Sequence, residues 1–302
     1  MPKFIKLNNM DIQPPKGKAF SYQTAPELPK AHMITGVFGK RGAGKGVATT
    51  HLIKSLKFDR LFVISPTFES NSELMDQFDN IDPDDVYSNL DDKDIMKKIT
   101  DKLEEERDEI VIYLEQMKQY KHLMKLLTDN VTIIPDEMLL TFFKDGRFVP
   151  PVYKYMDKNG NARNPFCGLW VDDALASPIL TGRKMVNFVL RHRHLAAFED
   201  DRPSIGCSIF FNAQNYRCQG GSIPRPIRNN FTNAIFFKSK DEKEIEEISS
   251  EMSGEVTKED FRKAYDIAMN DGDSHQFLFV DLHRKIPEHA SMFRSKFDKF
   301  IM

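Results

Sequence analysis

Long apolar runs are what this 302-residue chain most plainly lacks: "LFVI" and "CSIFF" are typical of its apolar runs, and both are strand-sized. A membrane-crossing helix needs about 20 mostly apolar residues, so no membrane span is expected. The opening "MPKFIKLNNMDIQPPKGK" has no apolar core of leader length, which argues against secretion. Cysteine is scarce and odd in number. Cys167, Cys207 and Cys218 make no C-x-x-C pair, which argues against a zinc ribbon or a disulfide framework and for a reducing compartment. His192 and His194 stand two apart, off a common helix face and without a third ligand nearby, so no metal site is expected there. There is no internal repeat and no low-complexity tract.

What is present is an ordinary globular composition, with 40% hydrophobic and 29% charged residues. The formal net charge of −2 conceals an uneven distribution. Residues 1–45 carry eight Lys or Arg against two acids, 69–109 carry 16 acids against five bases, and 177–228 carry eight bases against three acids. Binding to DNA needs one basic face rather than a basic protein, so the small total does not exclude it.

The first 30 residues are rich in Pro and Lys and weakly periodic, which reads as an extended arm ahead of a core spanning 31–302. "HMITGVF" and "DRLFVISPTF" read as buried strands, the second ended by a Ser65-Pro66-Thr67 turn. "GVATTHLIKSL" between them has helical spacing. Ile95, Ile99, Leu103, Ile110, Leu114, Met117, Met124 and Leu127 recur at helix-face intervals. They imply one long amphipathic helix or two with a break, inside a helical and loop-rich insertion at about 85–165. "CGLWVDD", "SIGCSIFFNAQNY", "NAIFFKS" and "HQFLFVDLH" follow as strands separated by helical segments. Alternation of this kind implies an α/β fold: a mostly parallel sheet with helices on both faces.

Three stretches carry chemistry. "GVFGKRGAGKG" meets the G-x-x-x-x-G-K part of a phosphate-binding loop, with a strand before it and a helix after it. Glycines let backbone N–H groups curl around phosphates at a helix N-terminus. Gly39, Lys40, Arg41, Gly42, Ala43, Gly44, Lys45 and Gly46 make up the loop, and Lys45 is the amine that reaches the terminal phosphates. Gly46 stands where a Ser or Thr hydroxyl normally holds Mg²⁺. Water can take that place, because Mg²⁺ keeps several waters, whereas Thr49 and Thr50 lie about one helical turn on. "LWVDD" ends a strand in two acids: Asp172 is placed to hold Mg²⁺, and Asp173 to orient and deprotonate an attacking water. "FFNAQNY" sets Gln214 just past a strand end, where a neutral amide can sense the terminal phosphate; Asn212 is the second choice. Arg193 and Arg228, with Arg191 and Arg225 beside them, are candidates to reach a neighbouring subunit's site and stabilise charge there.

The ordered set "GKRGAGKG", "LFVISPT", "LWVDDA", "FFNAQNY", "PIRNN" and "FLFVDL" resembles the genome-packaging ATPases of double-stranded DNA viruses, which group with the FtsK–HerA DNA-pumping ATPases. The resemblance spans roughly residues 31–285, with 85–165 not clearly matched. It implies a P-loop NTPase of RecA/FtsK-like architecture using ATP and Mg²⁺. It also implies a homo-oligomeric ring, pentamer or hexamer, around double-stranded DNA, working at a capsid vertex or portal-like shell component. The host cytoplasm or a viral factory, with some association with the virion, is the implied location. By position, Lys45 is the phosphate-binding lysine, Asp172 and Asp173 the acidic pair, and Gln214 the sensor. Arg193 is the first choice for the trans-acting arginine and Arg228 the second. Gly46 departs from the family's Ser or Thr. That departure favours a second reading, a nucleotide-binding capsid-assembly protein with impaired hydrolysis. A small-molecule kinase on the same fold has no support, since no arginine-rich lid is visible.

Overall fold

A computed structural model describes residues 23–68, 78, 81–129, 134–175, 177–216, 223–252, 256–272, 274–283 and 292–301. Its strands are β1 (Ile34–Phe38), β2 (Arg60–Ile64), β3 (Val86–Tyr87), β4 (Phe143–Lys144), β5 (Arg147–Phe148), β6 (Cys167–Val171), β7 (Ser208–Ala213), β8 (Asn233–Phe237), β9 (Phe277–Asp281), β10 (Phe293–Ser295) and β11 (Lys299–Phe300). The longer helices are α1 (Lys45–Leu56), α2 (Ile95–Thr128), α3 (Asp136–Phe142), α4 (Arg183–Arg191), α5 (Glu242–Met252) and α6 (Lys258–Met269). Most of the expected N-terminal arm, residues 1–22, lies outside the described residues, as does Cys218.

Nine strands form one sheet in the order β11-β10-β9-β8-β1-β7-β6-β2-β3. The strands β8, β1, β7, β6, β2 and β3 run parallel. This is the mostly parallel α/β sheet that the alternating sequence implies. The far end differs, because β9, β10 and β11 are each antiparallel to their neighbours. The cause is the connection between β8 and β9. A single crossover helix returns the chain to the starting edge and gives a parallel strand. The pair α5 and α6 traverses the sheet twice, so β9 must run back.

Period-2 burial divides the strands between two cores. Phe62, Ile64, Leu169, Val171, Ile209, Phe211 and Phe236 face the core covered by α2, α4, α5 and α6. Val37, Leu61, Val63, Trp170, Phe210, Ile235 and Phe279 face the core covered by α1. Both faces are therefore covered, which is why these strands read as near-continuous apolar runs.

Within 85–165, β3, the first half of α2 and Tyr153 are bound into the same body. Helix α2 runs unbroken for 34 residues. Ile95, Met96, Ile99, Leu103, Ile110 and Tyr113 from its first half are buried in the core. Beyond Tyr113 only Leu123 is buried, and Val111, Ile112 and Met124 are exposed. Charge fixes the first half as well. Arg60 on β2 pairs with Asp85 at 2.7 Å and with Glu106 of α2 at 2.9 Å. Lys102 reaches Asp85 at 2.6 Å, and Lys154 reaches Glu106 at 3.0 Å. Among the described residues no helix is long and apolar enough to cross a membrane.

Candidate nucleotide-binding site

The site forms where parallel strands end and the chain must turn. β1 runs into the glycine loop, and the loop opens directly into α1. Gly44 caps that helix with φ 100°, ψ 15°, a left-handed conformation that costs glycine little and a β-carbon residue much more. Gly39 is required for a different reason: a Cβ there would stand 2.7 Å from Cβ of Phe237. The helix has no side-chain N-cap bond and no acid in its first turn. Its first turn, Lys45 to Ala48, lines an open cavity, so its first N–H groups and positive dipole end are placed for an anion.

Sheet register sets the opposite wall. Val171 of β6 pairs with Phe211 of β7, and Phe38 of β1 pairs with Ala213. The N–H of Gly39 donates to the carbonyl of Ala213 at 3.2 Å. The residues that follow these pairs, Asp172, Asp173 and Gln214, leave the sheet beside the glycine loop. Asp173 has φ 49° and is exposed, a left-handed turn that Asp tolerates better than most residues.

One cavity of about 1200 Å³ results, lined by Lys45, Asp172, Asp173 and Gln214 together with Arg41, Gly42, Gly44 and Gly46. Gly39 and Lys40 line a smaller recess that also touches Gln214, and Ala43 packs against the α1-side core. Lys45 Nζ donates to the carbonyl of Gly39 at 2.7 Å and to that of Lys40 at 3.2 Å. Burial holds the Lys45 ammonium below its usual range, opposed by the attraction of Asp173 and then Asp172. Burial pushes the Asp172 carboxyl up. The Asn212 side chain beside it pulls it back, the Asp173 charge raises it, and Lys45 lowers it. A half-buried acid that resists ionisation is satisfied by a cation.

Asn212 is 4% exposed and takes a hydrogen bond from Thr49 Oγ1 at 2.8 Å, so it sits within the wall rather than in the cavity. Gln214 is the exposed amide at this edge. The two arginines go elsewhere. Arg193 is exposed on the single turn His192–His194. That turn lies at the other edge of the sheet, where the His192 carbonyl accepts from the N–H of Cys207 just before β7. Arg228 is turned inward and 6% exposed. Its Nη2 pairs with Glu251 at 3.0 Å, its Nη1 donates to the Ile223 carbonyl at 2.7 Å, and it lies over the Tyr216 ring. The Arg228 guanidinium is thus engaged within its own chain.

Mg²⁺ uses one or two carboxylates, phosphate oxygens and waters. Asp172, with Asp173 beside it in the cavity wall, fits that donor set, with one protein ligand fewer than usual because of Gly46. Among the described residues there is no cluster of three or more His, Cys, Asp or Glu suited to a metal held by protein alone.

No family model and no curated protein matches the chain. Solved structures resemble it distantly. One is the DNA-packaging ATPase B204 of Sulfolobus turreted icosahedral virus, at 13% identity and a TM-score of 0.46, covering 90% of this chain and 99% of that one. A second is the genome-packaging NTPase B204 of Sulfolobus turreted icosahedral virus 2 with AMPPCP, at 13% identity and a TM-score of 0.40, covering 83% and 92%. A third is the pCW3 conjugation coupling protein TcpA with ATPγS, at 16% identity and a TM-score of 0.41, covering 82% of this chain and 57% of that one.

Several residues of the cavity were not legible as site residues. Val47, His51, Ser274, His275, Lys296, Phe297 and Asp298 all line it. They come from the outer side of α1, the approach to β9 and the β10–β11 turn, and no motif links them in sequence.

Proposed function

We propose that this chain is an ATP-hydrolysing motor that moves double-stranded DNA into a preformed capsid. One observation supports the nucleotide chemistry above all: Lys45, Asp172, Asp173 and Gln214 line one cavity at the mouth of the glycine loop. In this reading the loop N–H groups and Lys45 cradle the phosphates. Asp172 holds Mg²⁺, Asp173 orients and deprotonates the attacking water, and Gln214 touches the terminal phosphate. Mg²⁺, when bound, neutralises charge developing on the β- and γ-oxygens. Arg193 is the arginine offered to a neighbouring subunit in a pentameric or hexameric ring, since it is exposed and its turn meets the start of β7, away from its own chain's cavity. Arg228 is withdrawn from that role.

The DNA-packaging part of the reading rests on the ordered motifs of the chain. Two exposed arginines of α4, Arg183 and Arg191, add to it. Lys184 beside them is paired with Asp94 at 3.3 Å, and Arg225 lines a recess with Glu246, Glu247 and Glu251, so neither adds to it. Contacts from such side chains to phosphates grip DNA without reading its sequence. The test is ATP turnover of the purified chain with and without double-stranded DNA. Stimulation by DNA that is lost in Lys45→Ala and Asp173→Asn supports the motor. Equal inertness of wild type and both variants, with ATP still bound, contradicts it.

A further inference from the structure

The cavity is larger than a triphosphate needs, and its outer wall differs in chemistry from the loop. On α1, Val47 is 73% exposed and His51 stands one turn further on the same side. The ring of His51 lies nearly parallel to that of Phe297, at 17° with centroids 5.7 Å apart. Phe297 is held firmly from behind. It packs edge-on against Phe277 at 4.9 Å and Phe279 at 5.5 Å, and the neighbouring N–H of Lys296 donates to the Phe277 carbonyl at 3.0 Å. Closer to the phosphate end, the His275 ring lies 3.5 Å from where a Cβ on Gly44 would stand. From Lys45 to His51 is about 9 Å along the helix at 1.5 Å per residue.

We infer that His51, Phe297 and Val47 form the nucleobase platform of this cavity, with His275 flanking the ribose between platform and phosphate loop. The inference rests on the triphosphate reading of Lys45. It is argued from rigid aromatic and apolar surface continuous with the loop, on which a planar base stacks whatever its edge groups. The larger ring system of a purine covers more of that surface than a pyrimidine does, so the platform favours purine nucleotides by stacking area.

The test compares ATP with inorganic tripolyphosphate, which carries the phosphates without a base, as ligands of the full chain. His51→Ala changes one exposed side chain of α1. Phe297→Leu keeps apolar volume against Phe277 and Phe279 while removing the ring. Each variant is expected to weaken ATP about tenfold and to leave tripolyphosphate unchanged, whereas Lys45→Ala weakens both. If the platform variants leave ATP unchanged, or weaken both ligands equally, the platform is overturned. If Lys45→Ala leaves tripolyphosphate binding intact, the triphosphate reading itself fails, independently of the platform.

Discussion

Thr49 Oγ1 donates a 2.8 Å hydrogen bond to Asn212 Oδ1 across the buried seam between α1 and β7. Thr49 is fully buried, so the nearest hydroxyl after the glycine loop faces the sheet and not the cavity. It cannot stand in for the hydroxyl missing at Gly46. Thr49→Val leaves the Asn212 carbonyl oxygen without this donor. It should destabilise the fold by about 1–2 kcal/mol while leaving the Mg²⁺ dependence of turnover unchanged. Thermal unfolding and a Mg²⁺ titration check the two halves separately.

Gly46 gives the opposite case. A Cβ built there meets nothing within 4 Å, and its φ is not in the left-handed range. No steric reason for glycine exists at this position. Gly46→Thr should raise helix stability by a few tenths of a kcal/mol, preserve or increase ATP turnover, and lower the Mg²⁺ concentration for half-maximal rate. Loss of turnover in this variant would mean that the cation approaches from another side.

The Asp172 carboxyl makes stability depend on pH. Burial raises its proton affinity above the ordinary value of 3.8. A group whose folded pKa is raised contributes its stability fully below the unfolded value and loses it as pH rises through the folded one. Asp172→Asn should therefore melt higher than wild type at neutral pH in the absence of nucleotide. The difference should shrink towards zero as pH falls to about 3. In the presence of Mg²⁺ and ATP the order should reverse. A variant that melts below wild type at pH 7 without nucleotide would show that the acid is already well paired.

The two arginines separate by stability. Arg228→Ala breaks a pair whose side chains are 4% and 17% exposed, and should cost roughly 3 kcal/mol, seen as a large fall in melting temperature. Arg193→Ala removes an exposed side chain and should leave melting unchanged while lowering DNA-stimulated turnover. Normal turnover in Arg193→Ala would remove it from the proposed mechanism.

Much of this architecture is visible in the letters. "LFVI", "CGLWV" and "SIFF" are short and doubly apolar because their strands are buried on both faces, and the helix-spaced residues between them leave little choice but an α/β sheet. The loop, the acid pair and Gln214 were legible because local rules place them at strand ends. Less local features were not. β9 runs antiparallel because two helices precede it, a count that periodicity does not translate into direction. β10 and β11 are three and two residues long, below the length at which alternation is readable. Met124 and Leu127 keep the apolar period of α2 although Leu123 is its last buried residue, because periodicity marks a face and not what covers it. Arg228 reads as a free cation until Glu251, 23 residues away, closes on it.

The central claim is that Lys45 and Asp172 act on one nucleotide. A double-mutant cycle on Mg²⁺–ATP binding, with Lys45→Ala, Asp172→Asn and the double variant, tests it most directly. Residues that share a ligand are non-additive, and a coupling of about 1 kcal/mol or more is expected. Additive losses, within about 0.3 kcal/mol, would contradict a shared site and with it the motor.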